Sequence, residues 1–154
     1  MFDNEREITE FFGSNDLLLD FIDTGRSTAT SKEAAAALGC SVGQIGKTIV
    51  FDVEGEAVLV LLEGDRKVDT MKLENAIGKK AGRASLPFIA EKTGFKAGGV
   101  APVNKKGISL IVIDKGVFSR DFLWVSAGSR TAVMKIKTAG LDKTLNAAVS
   151  EISC

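Results

Sequence analysis

Histidine and tyrosine are both missing from the 154 residues. Without histidine, neither a Ser-His-Asp nor a Cys-His relay can be assembled, and a histidine-rich zinc site is excluded. Catalysis by this chain must draw on lysine, carboxylates, hydroxyls, backbone dipoles or groups of the substrate itself. Cysteine is scarce: Cys40 and Cys154 form neither a metal-spaced pair nor a disulfide framework. Together with the polar, acidic start "MFDNEREITE", this predicts a cytoplasmic chain without a signal peptide. Long apolar runs are lacking as well. The longest, "AVLVLL" from Ala57 to Leu62, is far short of the ~20 residues that cross a bilayer, so no membrane partner is expected. Nor is there an excess of one charge: 20 basic and 20 acidic residues leave no global field to pull the protein onto a polyanion. Any nucleic acid must be met by a local patch.

With no repeat, low-complexity stretch or Pro/Gly-rich linker, residues 1–154 read as one domain, long enough to bury ~70% of the surface of the unfolded chain. Helical patterning covers Glu5 to Phe12, with Gly13-Ser14-Asn15 as its exit, and "LLLDFID" suits a short strand. In "TSKEAAAALG", Thr30 and Glu33 form a capping box, and Gly39 supplies the left-handed stop. "KTIVF" and "AVLVLLEG" flank Glu54-Gly55, the signature of an antiparallel hairpin. Asp69 caps a helix through "TMKLENAIG", and Ser85 caps another through "LPFIAEKTG" with Pro87 in its first turn and Gly94 at its end. "ISLIVID", "FLWVSAG" and "AVMKIK" read as strands, and "LDKTLNAAVSEI" as a closing helix. Hairpins combined with helical insertions predict a mixed sheet with helices packed on it, in an α/β or α+β architecture.

"GQIGKT" has the ending of a phosphate-binding loop but not its beginning, because Ser41 stands where the first glycine is needed. The order is also reversed, since here a helix precedes and a strand follows. Lys47 therefore stands at the mouth of the strand that runs through Ile49, Val50 and Phe51, whose residues are apolar on both faces. Burial would lower its pKa and a carboxylate neighbour would raise it. A lysine snorkelling to water is the plain structural reading.

"KAGGVAP", from Lys96 to Pro102, could bring backbone groups close to a polar ligand through Gly98 and Gly99, with Pro102 stiffening the exit, or be an ordinary connection. In "SAGSR", Gly128 and the Ser129 hydroxyl suit a pocket wall and a hairpin turn equally well. Asp114 could orient an amine, but reads better as the start of a turn with Lys115-Gly116. Lys79-Lys80 with Arg83, Lys105-Lys106, and Lys135 with Lys137 on one strand face form basic clusters that suit solvated surface or contact with a phosphate backbone.

Taken in order, "TSKEAAAALG", "QIGKTIVF", "VLVLLEGDRKVD", "TGFKAGGVAP", "LIVID" and "SAGS" resemble the YbaK/prolyl-tRNA synthetase-associated editing family over nearly the whole chain. The resemblance implies a mixed, partly barrel-like sheet surrounded by helices. It implies an aminoacyl-tRNA deacylase that hydrolyses the ester of a wrongly charged small amino acid, commonly alanine or cysteine on proline tRNA, without a metal or cofactor. The partners implied are mischarged tRNA and an aminoacyl-tRNA synthetase. Carried over by position, the family's functional lysine is Lys47. Its Gly-x-x-x-P element spans Gly98, Gly99, Val100, Ala101 and Pro102, and its small-residue wall falls on Ala127, Gly128 and Ser129. Lys79, Lys80, Lys105 and Lys106 become the expected tRNA contacts. Gly46 and the polar "VNKKG" that follows Pro102 depart from the family pattern beside the expected pocket.

Overall fold

A computed structural model describes residues 5–154. Helix α1 (Glu5–Ser14) turns Ile8 and Phe12, four residues apart and so on one face, into the core. It runs two residues past the expected end at Phe12, into the Gly13-Ser14-Asn15 exit, and leads to strand β1 (Leu18–Asp23). Helix α2 (Ser31–Leu38) starts and stops as its sequence predicts: the Thr30 hydroxyl accepts the Glu33 amide at 3.1 Å, and Gly39 takes φ 68°. A 3-10 turn over residues 42–44 feeds strand β2 (Gly46–Val53), which returns as β3 (Glu56–Glu63). Glu54 and Gly55 both have positive φ, 54° and 90°, the type I′ geometry whose twist matches that of paired strands.

Helix α3 (Thr70–Ile77) is capped by Asp69 and ended by Gly78, and α4 (Leu86–Thr93) is capped by Ser85 and ended by Gly94. Between them lies β4 (Gly82–Arg83), too short to leave a signal in the sequence. Strands β5 (Ile108–Asp114), β6 (Phe122–Ser126) and β7 (Ala132–Lys137) follow.

The expected closing helix is corrected by the structure. Only α5 (Leu141–Leu145) is helical; Asn146 then turns left-handed at φ 51°, and Ala148–Ser150 form an eighth strand, β8. Apolar spacing in "LDKTLNAAVSEI" suits a helix, but parallel pairing of Ala148, Val149 and Ser150 with Val112, Ile113 and Asp114 satisfies this backbone instead.

Two sheets result, β1-β7-β6 and β4-β2-β3-β5-β8, parallel at β3/β5 and β5/β8 and antiparallel elsewhere. With its surrounding helices this is the mixed α/β architecture expected. A parallel bridge between Ile45 and Trp124 joins the sheets at one corner. Their facing sides share a core that includes Leu59, Leu61, Ile111 and Ile113 from the larger sheet and Leu123, Val125, Met134 and Ile136 from the smaller. Behind the larger sheet, Val58, Val60, Leu62 and Val112 pack with Leu73 of α3 and with Ile152. Strand β3 is thus buried on both faces, which explains its unbroken apolar run.

The first half of β2 is paired on one side only, because β4 reaches no further than Phe51 and Asp52. There β2 closes on β6, and Gly46 allows the approach: a Cβ at this position would stand 2.8 Å from Val125 Cγ1 and 3.0 Å from Leu123 Cδ1. The half-paired corner carries Lys47 and Thr48. Among the described residues, no helix is long and apolar enough to cross a membrane.

Candidate active site

At this corner a cavity of about 780 Å³ opens between α2, β2, β6, the Gly64–Lys67 loop and the loop around Gly98. Lys47 is on its wall, half-buried, and its ammonium donates to the Gly64 carbonyl at 3.5 Å. Burial pushes the Lys47 pKa below the ordinary lysine value; the Asp65 carboxylate opposes this shift and the Lys67 ammonium adds to it. Lys32, Arg66 and Lys67 line the same cavity, so four cations and one carboxylate, Asp65, share it. The remaining lining residues, among them Gly98, Val100, Trp124, Val125, Ser126 and Val133, are uncharged. A second cavity of about 440 Å³ adjoins the first, sharing Thr48, Ile49, Gly98 and Val100, and continues toward Arg83, Leu86 and Ile89.

Two hydroxyls on the first cavity's residues, Thr28 Oγ1 and Thr48 Oγ1, are buried without a hydrogen-bond partner. Native proteins leave few such groups, so they mark where a bound molecule or water would complete the structure. Among the described residues, no three His, Cys, Asp or Glu side chains cluster as metal ligands.

From the glycine loop, the structure brings Gly98 and Val100 to the cavity wall beside Lys47. Gly98 takes φ 86°, and a Cβ there would lie 2.8 Å from Ala29 Cβ. The Gly99 amide donates to the Lys96 carbonyl at 2.9 Å and so closes a turn, and its Cα faces the Ser129 backbone, which an added Cβ would meet at 2.9 Å. Ala101 and Pro102 are buried behind the wall. Of the "SAGSR" turn, Ser126 lines the cavity, whereas Gly128 packs toward Ile8 and Phe95 and the Ser129 hydroxyl accepts the Ala132 amide at 3.1 Å. Gly128 and Ser129 thus stand in the layer behind the cavity wall.

The four expected tRNA contacts, Lys79, Lys80, Lys105 and Lys106, are on neither cavity wall. Lys79 pairs with Glu56 at 3.8 Å, and the Lys105 ammonium lies 4.6 Å from the centre of the Phe95 ring. Asp114 does begin a turn, accepting the Gly116 amide at 3.2 Å, but it is buried and also accepts from Ile152 and Ser153.

Sequence reasoning missed Asp65, Arg66 and Lys67. Hairpin register held the signal: if Glu54-Gly55 is the turn, Gly46 faces Glu63, and the charged "GDRK" that follows must flank the mouth where Lys47 sits. Thr28, Thr48 and Trp124 left no comparable sign.

Residues 26–144 match the sequence model of the aminoacyl-tRNA editing domain. The chain belongs to that family. This editing domain is 30% identical over 118 residues to the uncharacterized protein YwhH of Bacillus subtilis (strain 168), covering 76% of this chain and 75% of YwhH. It is 34% identical over 86 residues to a proline–tRNA ligase of Nitratidesulfovibrio vulgaris (strain DP4), covering 55% of this chain but only 15% of that longer protein. Among solved structures, a candidate trans-editing enzyme for prolyl tRNA synthetase superimposes with a TM-score of 0.84 at 30% identity, over 97% of this chain and 94% of the other. The matched span includes Lys47, the glycine loop and the "SAGSR" turn of the editing domain, and ends before β8 and the segment that follows it.

Proposed function

We propose that this editing domain is a trans-acting aminoacyl-tRNA deacylase that hydrolyses the ester of a mischarged small amino acid, with cysteinyl or alanyl esters of proline tRNA as its first candidates. The observation that carries the reading is the partly desolvated Lys47 ammonium, set on a cavity between a cationic wall and an uncharged glycine wall. When an ester carbonyl is attacked, its oxygen becomes negative, and a fixed ammonium in a partly dry site stabilises that charge without histidine. Water supplies the attacking oxygen, and a hydroxyl of the substrate's own ribose can orient that water or pass its proton on. A new bond forms to the carbonyl carbon, the bond to the tRNA oxygen breaks, and that oxygen takes up the proton released by the nucleophile.

Lys32, Arg66 and Lys67 are suited to phosphates of the acceptor end, and the apolar residues between them and Gly98 favour a small side chain. Lys47 acts as the catalytic residue, Gly98 and Val100 flank the substrate, and Gly99, Ala101, Pro102, Gly128 and Ser129 support that wall. Lys79, Lys80, Lys105 and Lys106 offer outer contacts to the tRNA, in the cytoplasm, where a synthetase is a further partner.

The test is hydrolysis of tRNAs charged with alanine, cysteine, serine, threonine and proline. Turnover of at least one small non-cognate ester, with prolyl-tRNA(Pro) spared, is expected. A panel left intact would favour the rival reading, a non-catalytic tRNA- or synthetase-binding module, because four cations around one cavity can hold phosphates without chemistry.

A further inference from the structure

Asp65, Arg66 and Lys67 are all exposed, so no core of their own side chains fixes the wall they form. The near end of the wall is held at Gly64, whose amide donates to the Ile45 carbonyl at 2.6 Å, and segment Glu151–Cys154 braces its far end at residues 66–69. The Asp69 amide donates to the Ile152 carbonyl at 2.8 Å and the Cys154 amide to the Lys67 carbonyl at 3.0 Å, with Val68 and Ser153 paired in an antiparallel bridge between them. Arg66 Nε donates to Ser153 Oγ at 3.2 Å, and Lys72 Nζ to the Ser153 carbonyl at 3.1 Å.

This segment is itself anchored at Asp114, whose side chain is buried at the end of β5 with the residue 1% exposed. Its carboxylate accepts from the Ile152 amide (2.9 Å), the Ser153 amide (3.1 Å), the Ser153 hydroxyl (3.1 Å) and the Gly116 amide (3.2 Å). A carboxylate so buried is tolerated when its lone pairs are filled, and four donors fill them. Ile152, fully buried among Leu62, Leu73 and Val112, adds an apolar plug. The Ser153 hydroxyl is the link: it donates to the buried carboxylate and accepts from a guanidinium of the cavity wall.

We propose that Asp114 and Ser153 are positioning residues for the editing site, holding the Gly64–Lys67 loop, and with it Arg66 and Lys67, against the cavity through the segment Glu151–Cys154. The proposal rests on the deacylase reading for its effect on catalysis, but not for its effect on Lys47. The loop supplies the carbonyl that receives the Lys47 ammonium, and it carries two charges that act on Lys47 in opposite directions. The ionisable groups around Lys47 are Asp65, Arg66 and Lys67 on the loop and Lys32 on α2, while β6 presents only Trp124, Val125 and Ser126. Burial is the largest influence on Lys47, so a loosened loop that admits water returns its proton affinity toward the ordinary lysine value.

The test uses the full chain with Ser153→Ala, and with Asp114→Asn as a second variant that keeps the shape but turns an amide NH2 toward the donors. Three quantities are measured: the NMR titration of Lys47 Nζ, amide hydrogen exchange over residues 64–68, and KM and kcat for the ester that wild type hydrolyses. For Ser153→Ala, which removes the hydroxyl's bonds to Asp114 and from Arg66, the expected results are an upward shift of the Lys47 titration, faster exchange in the loop, and a KM raised about 3- to 10-fold as Arg66 loses its place. Asp114→Asn should move all three further in the same direction. An unchanged Lys47 titration and unchanged loop exchange in Ser153→Ala would overturn the proposal, whatever the melting temperature and whether or not Asp114→Asn folds. If those two move while wild type hydrolyses no ester, the positioning role stands and the deacylase reading falls.

Discussion

The wall formed by Gly64 to Lys67 is charged, largely exposed and tied by hydrogen bonds to a segment some 85 residues away, as in the pair Val68–Ser153. The wall formed by Gly98 and Val100 carries no charge and is held by backbone packed against backbone, at Ala29 for Gly98 and at Ser129 for its neighbour Gly99. Further ties are the Arg130 side chain on the Ala97 carbonyl at 3.0 Å and the Thr28 amide on the Arg130 carbonyl at 2.6 Å. Side by side, the two walls of the cavity are held by different means. Long flexible cations contribute charge and need an outside brace, whereas glycines contribute space and are placed by close approach.

Removing the central charge should have the largest effect. Lys47→Ala is expected to lower single-turnover deacylation by roughly 10²–10³, as for a lost oxyanion donor, with little change in the thermal melt because Lys47 is only half-buried. Lys47→Arg should restore only part of the rate, since a planar fork does not replace a compact point charge. Near-normal hydrolysis by the alanine variant would remove Lys47 from the chemistry.

On the other wall, a single methyl should do the damage. Gly99→Ala places a Cβ 2.9 Å from the Ser129 carbonyl carbon, and backbone cannot give way as a flexible side chain does. Overpacking of this kind costs about 1–3 kcal/mol. The melting temperature should fall and activity with it, whereas Lys47→Ala separates the two. A Gly99→Ala protein with wild-type stability would mean that the two loops stand further apart than described.

A pH series separates the walls again, because only the charged one titrates. If protonated Lys47 stabilises the acyl oxygen, the rate falls as pH rises through a value below that of ordinary lysine, and the Lys47→Ala residual activity lacks this limb. Stability moves the opposite way. The unfolded chain binds the Lys47 proton more tightly, so the burial penalty is present in full below the folded-state pKa and disappears as pH rises toward the unfolded value. Lys47→Met should flatten that part of the stability profile.

The smallest effect is expected outside both walls. Replacing Lys79, Lys80, Lys105 and Lys106 with glutamine should weaken tRNA binding and reduce its salt slope by about one for each phosphate left without its lysine, leaving kcat unchanged. Lys79 and Lys105 should contribute less, being engaged with Glu56 and the Phe95 ring. Unchanged affinity and slope would shift recognition to Lys32, Arg66 and Lys67.

Local chemistry made most elements legible. Thr30, Asp69 and Ser85 each cap the helix their sequence announces, Gly39, Gly78 and Gly94 each end one, and Glu54-Gly55 makes the turn it predicts. These features depend on residues a few positions apart, so the amino-acid order alone specifies them, along with the exclusion of histidine chemistry and the placing of Lys47 at a strand mouth. The remainder waited on the packed molecule. Whether "NAAVSEI" is helix or strand depended on the open edge of β5, and which of the "SAGS" residues reach the cavity depended on what already occupied the space around Ile8, Phe95 and Gly99. Asp114 read as a turn residue because one of its partners lies two positions on. Its other partners, the Ile152 and Ser153 amides and the Ser153 hydroxyl, lie 38 and 39 positions away, and a carboxylate's lone pairs are filled by whatever the fold brings near, which no local pattern records.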